Sequence, residues 1–144
     1  MPIYIDTSAL AKRYVAERGS DAFDAFLAEQ TDDCIICPLG ATELESVLQR
    51  LHRQGLMTAP FAQQARRDFA ADLASALWAM RPFEAAAFAL ASELMRSLKA
   101  PLTTLDALHL ACAVEFDCTG FATGDRQLAR AADERGLQIH PFFI

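Results

Sequence analysis

Four of the 19 acidic residues in this 144-residue chain stand where a carboxylate could do chemistry. Asp6 closes a short β-rich run, Ile-Tyr-Ile. Glu43 falls in the first turns of the helix that follows the apolar run Cys-Ile-Ile-Cys. Asp106 interrupts a segment, residues 102–114, that is apolar nearly all round, with no Lys or Arg three or four residues away. A charge in such a helix is costly unless it is paired or coordinates a metal. Asp125 follows the strand-like run 119–123. Hard divalent cations prefer oxygen ligands, and Mg²⁺ takes a few carboxylates plus waters. Such ions activate water and stabilise charge on phosphoryl oxygens. The four acids therefore suggest metal-assisted chemistry on a phosphate, and the absence of a His/Cys cluster argues against zinc.

Each acid also has an ordinary reading. Asp6 could cap the next helix, although Ser8 could do so instead. Glu43 and Asp106 could favour helix dipoles, and Asp125 could be a turn or cap residue. Their joint placement depends on the elements around them. Strands are expected over Ile3–Ile5, 34–37, 77–80, 119–123 and 137–142. Helices are expected over 9–17, 20–28, from Pro38 to Gly55, from Thr58, over 84–99, from Thr103 or Thr104 to about Phe116, and over 127–134. Ser20 could cap the second helix, whose inner face would carry Phe23, Phe26 and Leu27. Leu44, Val47, Leu48 and Leu51 form a helical stripe, as do Phe61, Ala65, Phe69 and Leu73. Alternating β and α segments predict a parallel sheet with helices on both faces. Ligands of such sheets bind outside the carboxyl ends of the strands, which gathers Asp6, Glu43 and Asp125 at one edge.

Composition limits the class. Hydrophobic residues make up 53% and charged residues 22%, an ordinary globular balance. No linker or repeat divides the chain, so residues 1–144 are expected to form a single domain. No apolar run approaches the roughly 20 residues that span a membrane, and Asp6 interrupts any signal-like start, so a cytoplasmic location is expected. The net charge of −6 argues against a broad basic nucleic-acid face. It does not exclude an enzyme that meets nucleic acid through a bound cation. Cys34 and Cys37 form a C-x-x-C, but residues three apart on a strand point to opposite faces. All four cysteines are therefore read as reduced core residues.

The order Ile-Asp-Thr-Ser-Ala-Leu, Thr-Glu-Leu, Leu-Asp-Ala-Leu-His-Leu-Ala and Ala-Thr-Gly-Asp-Arg-Gln-Leu resembles the PIN-domain nucleases. It is closest to the VapC-type toxins of bacterial toxin–antitoxin pairs. The resemblance runs from Asp6 to the final strand. It implies a PIN-like three-layer α/β/α fold with a central parallel sheet of four to five short strands. It also implies an endoribonuclease needing Mg²⁺ or Mn²⁺ that leaves a 5′-phosphate and a 3′-hydroxyl. Asp6, Glu43, Asp106 and Asp125 match the family's four acids, and Ser8 and Thr123 its small hydroxyl positions. The partners implied are an RNA substrate, a cognate antitoxin that plugs the site, often with a basic side chain, and a second copy in a homodimer. Asp6, Asp106 and Asp125 would hold metal, directly or through water, and Glu43 would bind metal or orient and deprotonate the attacking water.

Other residues carry weaker signals. Arg126 adjoins Asp125, and Lys12, Arg13 and Arg18 form a small basic cluster, so Arg13 and Arg126 are candidates for RNA phosphates. His109 shares a helix face with Asp106 and reads as a packed residue or a base. A receiver-like regulatory module has a similar α/β pattern, but its acidic pair and central phosphoacceptor are missing. A phosphatase with a nucleophilic Asp usually has a second Asp two residues on, where this chain has Ser8. A catalytically silent PIN scaffold is the remaining alternative.

Overall fold

The computed structural model describes residues 1–143. Its elements run β1 (Ile3–Ile5), α1 (Thr7–Tyr14), α2 (Ser20–Glu29), β2 (Cys34–Ile36), α3 (Pro38–Arg53) and α4 (Ala59–Ala74). The second half continues β3 (Ala79–Met80), α5 (Ala85–Ser97), α6 (Thr104–Glu115), β4 (Gly120–Thr123), α7 (Arg126–Glu134) and β5 (Gln138–Pro141). The five strands form one parallel sheet in the order β3-β2-β1-β4-β5.

The three central strands, β1, β2 and β4, divide their side chains between two cores, as period-two alternation requires. Ile3, Ile5, Cys34, Ile36 and Ala122 face one core, with Phe23, Leu44, Leu48 and Trp78. Tyr4, Ile35 and Phe121 face the other, with Leu110, Cys112 and Leu128. Helices thus cover both faces, which is why the strands are buried on both sides. Cys34 lies in the first core and Cys37 in the second, so the C-x-x-C pair is split across the sheet, and all four thiols are free.

Several boundaries move for identifiable reasons. The first helix begins at Thr7 because the Asp6 carboxylate caps it, and it ends at Tyr14, where Val15 turns extended. Ser8 lies inside that helix. Cys37 leaves the strand to cap α3, with Pro38 in the first turn. Ser20 does not cap α2: Gly19, at φ 87°, does, and Ser20 Oγ instead accepts from Glu17 N and donates to the Val15 carbonyl. Phe61, expected on an inner stripe, is 59% exposed.

The chain builds outward from β1 through β2 to β3, then crosses back to place β4 on the other side of β1. This reversal puts a topological switch point between β1 and β4. The loops after those strands diverge there and leave a crevice at their carboxyl ends. No helix among the described residues is long and apolar enough to cross a membrane.

Candidate active site

The crevice is a cleft of ≈ 400 Å³. Asp6, Glu43, Asp106 and Asp125 all line it, joined by Thr7, Ser8, Lys12, Arg50 and His109. Four separate segments supply the acids, and each is aimed by its own local structure. Asp6 follows β1 and caps α1: Oδ1 accepts from Ala9 N at 2.9 Å and from Ser8 Oγ at 2.8 Å. Its other oxygen accepts from Thr123 Oγ1 at 2.5 Å. Asp125 caps α7, with Oδ1 accepting from Gln127 N at 2.8 Å and Leu128 N at 3.0 Å. Asp106 sits in the first turn of α6, behind the Thr103 cap. Glu43 projects from α3. For Asp6 and Asp125 the capping reading is therefore structurally true, and capping is what points the carboxylate.

Ser8 and Thr123 bind the two loops together. Thr123 Oγ1 accepts from Asp125 N at 3.0 Å while donating to Asp6, and Ser8 Oγ accepts from Gly124 N at 2.8 Å. A Cβ on Gly124 would stand 3.0 Å from Lys12 Cε and 3.4 Å from Ser8 Oγ, so a side chain there would make the end of the lysine shift.

The charges are unbalanced. Burial raises the Asp6 pKa, only partly offset by the charge of His109 and by bonds from Thr123, Ala9 and Ser8. Burial also raises Asp106, and the negative charge of Asp125 adds to it against a bond from Thr103 and the charge of His109. Glu43 goes the other way: burial would raise it, but the His109 hydrogen bond, the histidine's charge and Thr7 pull it down. Lys12 does not neutralise the acids directly, because Nζ donates to the Arg18 carbonyl at 2.7 Å and to Glu17 at 3.2 Å.

An all-oxygen donor set with excess negative charge suits a hard divalent cation. Among the described residues no three Asp, Glu, His or Cys side chains stand close enough to hold an ion as they are. Mg²⁺ keeps several waters and takes only one or two carboxylates directly.

The basic candidates separate. Arg13 lies outside the cleft, with Nε 2.7 Å from Asp72 Oδ2 and Nη2 3.2 Å from Oδ1. Arg126 is not in the lining either, and its guanidinium stacks 4.5 Å from the Phe143 ring centre. Arg50, which no motif marked, does line the cleft. It lies two helical turns beyond Glu43, so helical spacing was the signal available for it. Thr7 and Tyr4 were also unmarked. Thr7 sits inside the Asp-Thr-Ser motif, and nothing in the sequence pairs Tyr4 with the cleft.

The PIN domain family model matches residues 3–134. The chain therefore belongs to the PIN-domain family, in agreement with its parallel five-stranded sheet. The VapC20 structure from Mycobacterium tuberculosis, described as a sarcin-ricin loop cleaving toxin, aligns with a TM-score of 0.70 at 18% identity, covering 90% of this chain and 94% of that one. VapBC2 from Rickettsia felis, bound to a DNA fragment from its promoter, aligns at 0.71 and 13% identity, covering 99% of each chain. FitAcB from Neisseria gonorrhoeae aligns at 0.70 and 15% identity, covering 95% of each. At these identities the likeness is one of fold. A search of curated protein sequences returned no significant match.

Proposed function

We propose that the chain is a divalent-metal-dependent endoribonuclease, the toxin of a toxin–antitoxin pair. One observation carries this reading: four acids from four segments line a single cleft at the switch point of the sheet. Membership of the PIN family and the fold shared with VapC20, VapBC2 and FitAcB support it. The receiver-like alternative loses its basis, since that fold orders its strands 2-1-3-4-5, whereas this sheet runs β3-β2-β1-β4-β5.

In this reading Asp6, Asp106 and Asp125 would hold Mg²⁺ or Mn²⁺, directly or through water. The bound ion supplies water activation and neutralises charge developing on the phosphoryl oxygens. Glu43 would bind the metal with those three acids, or orient the attacking water and take up its proton. A new P–O bond forms as the bond to the 3′ oxygen breaks. The 3′ oxygen leaves with a proton, giving a 5′-phosphate and a 3′-hydroxyl. Arg50 meets an RNA phosphate at the cleft's rim, and Arg126 reaches the backbone beyond it. A cognate antitoxin blocks the same cleft with a basic side chain, and the toxin works as a homodimer in the cytoplasm.

The test is cleavage of a mixed structured RNA pool with Mn²⁺, with Mg²⁺ and with EDTA, beside Asp6→Asn and Asp106→Asn. Metal-dependent cutting lost in both variants is the expected result. Cutting that survives EDTA or both substitutions would remove the mechanism. A wild type that binds Mn²⁺ but cuts no RNA would favour the silent scaffold.

A further inference from the structure

One buried cluster beside the acids is not used by the mechanism above. Tyr4 is fully buried on β1, yet its hydroxyl lies 2.7 Å from His109 Nδ1 and 3.2 Å from Cys37 Sγ. His109 is 2% exposed, and its other ring nitrogen, Nε2, lies 2.5 Å from Glu43 Oε1. Thr7 Oγ1 donates to that same oxygen at 2.7 Å. No bond among the described residues reaches Glu43 Oε2. The imidazole is thus held at both nitrogens and has one orientation. Burial keeps the Tyr4 phenol protonated, so it meets Nδ1 as a neutral hydroxyl.

The helices explain why this contact matters. α3 packs chiefly on α1 and α4, whereas α6 packs on α5 and α7. The His109–Glu43 bond therefore ties together two helices that carry different acids of the cleft. A residue needed only to fill this space would be apolar, because burying two ring nitrogens costs free energy unless both find partners.

We infer that His109 is a positioning residue for Glu43. With Thr7 it occupies Oε1, so that Glu43 offers the cleft only Oε2, and Tyr4 locks the ring that does this. The inference rests on the nuclease reading of the cleft for its catalytic consequence, but not for the contact itself. A second residue acting on an acid in this way commonly changes metal affinity or activity by about 10- to 100-fold.

Three readouts test it. In metal-free protein, NMR should find a protected, downfield ring N–H proton of His109 that Glu43→Ala abolishes and Tyr4→Phe shifts. Calorimetry with Mn²⁺ alone should show affinity falling about tenfold in His109→Asn and returning toward wild type in His109→Gln. The reason is reach: the Gln amide nitrogen extends to where the imidazole Nε2 stands, whereas the Asn amide stops near Nδ1. RNA cleavage should follow the same order, with the loss in kcat rather than KM. A ring proton indifferent to Glu43, equal Mn²⁺ affinities in the Asn and Gln variants, or losses that simply track melting temperature would overturn the proposal. If wild type binds Mn²⁺ but cleaves no RNA, the nuclease reading fails, while the proton and Mn²⁺ measurements still decide the positioning claim.

Discussion

Asp6 meets two opposed demands. Its carboxylate is 2% exposed, which disfavours the ionised form, yet a cation site needs that form. Four donors or neighbouring charges offset part of the penalty, and a metal ion would offset the remainder. Asp6→Asn keeps an oxygen for the Ala9 amide and removes the buried charge. In EDTA this variant should melt at or above the wild-type temperature, by about 1 kcal/mol or roughly 3 °C. Mn²⁺ should raise the wild-type melting temperature, since it binds only the folded chain, and leave Asp6→Asn unmoved. A variant that melts well below wild type without metal would mean that the hydrogen bonds made to the ionised carboxylate outweigh the cost of burying it.

At the scale of elements, a few side chains set how the helices sit around the cleft. Arg13 and the Tyr14 hydroxyl both reach Asp72, joining α1 to α4. Burial would raise the Asp72 carboxyl, but those two donors lower it. A depressed carboxylate stabilises the fold above the ordinary carboxylate range, and that contribution is lost as pH falls through the folded value. Arg13→Ala should thus cost about 1 kcal/mol at neutral pH, discounted toward a few tenths because the guanidinium is partly exposed. The difference between the two proteins should shrink toward pH 3 in melts across a pH series, and RNA KM should stay unchanged. Gly19 is a second such point. Its φ of 87° suits glycine, and a Cβ there would stand 2.5 Å from the Phe142 carbonyl oxygen. Gly19→Ala should destabilise by about 1–3 kcal/mol, read from denaturant midpoints at constant slope.

For the whole molecule, a net charge of −6 means that RNA cannot be gathered by a broad positive field. On the nuclease reading, binding would instead depend on a few local cations and on a divalent ion held in the cleft. Arg50→Ala should raise RNA KM several-fold while sparing Mn²⁺ affinity. It should also flatten the salt dependence of KM by about one unit of slope, as loss of one phosphate contact does. An unchanged salt slope would place RNA elsewhere on the surface. Arg13→Ala offers the comparison, because that guanidinium is paired with Asp72 outside the cleft.

Much of this was legible in the chain itself. Apolar runs placed all five strands, and Thr58 and Thr103 marked helix starts, because capping and burial are local demands that residue type satisfies directly, whereas the cap of the first helix stayed open between Asp6 and Ser8 and Asp125 read equally as a turn. The motifs around the four acids could be read in order for the same reason: each lies at the end of an element whose position sequence periodicity reveals. What remained hidden was relational. Strand order decided that β1 and β4 flank the crevice, and so which loops meet. Arg13 was marked as a phosphate ligand and Arg50 was not, yet folding turns Arg13 toward Asp72 and places Arg50 in the cleft lining, because an arginine's role depends on the carboxylate that folding brings near it. His109 looked like a packed helix residue, and it is buried. Its partners Tyr4 and Glu43 lie far away along the chain, and only the tertiary structure brings them within hydrogen-bonding distance, where a buried imidazole must find them or pay for going without.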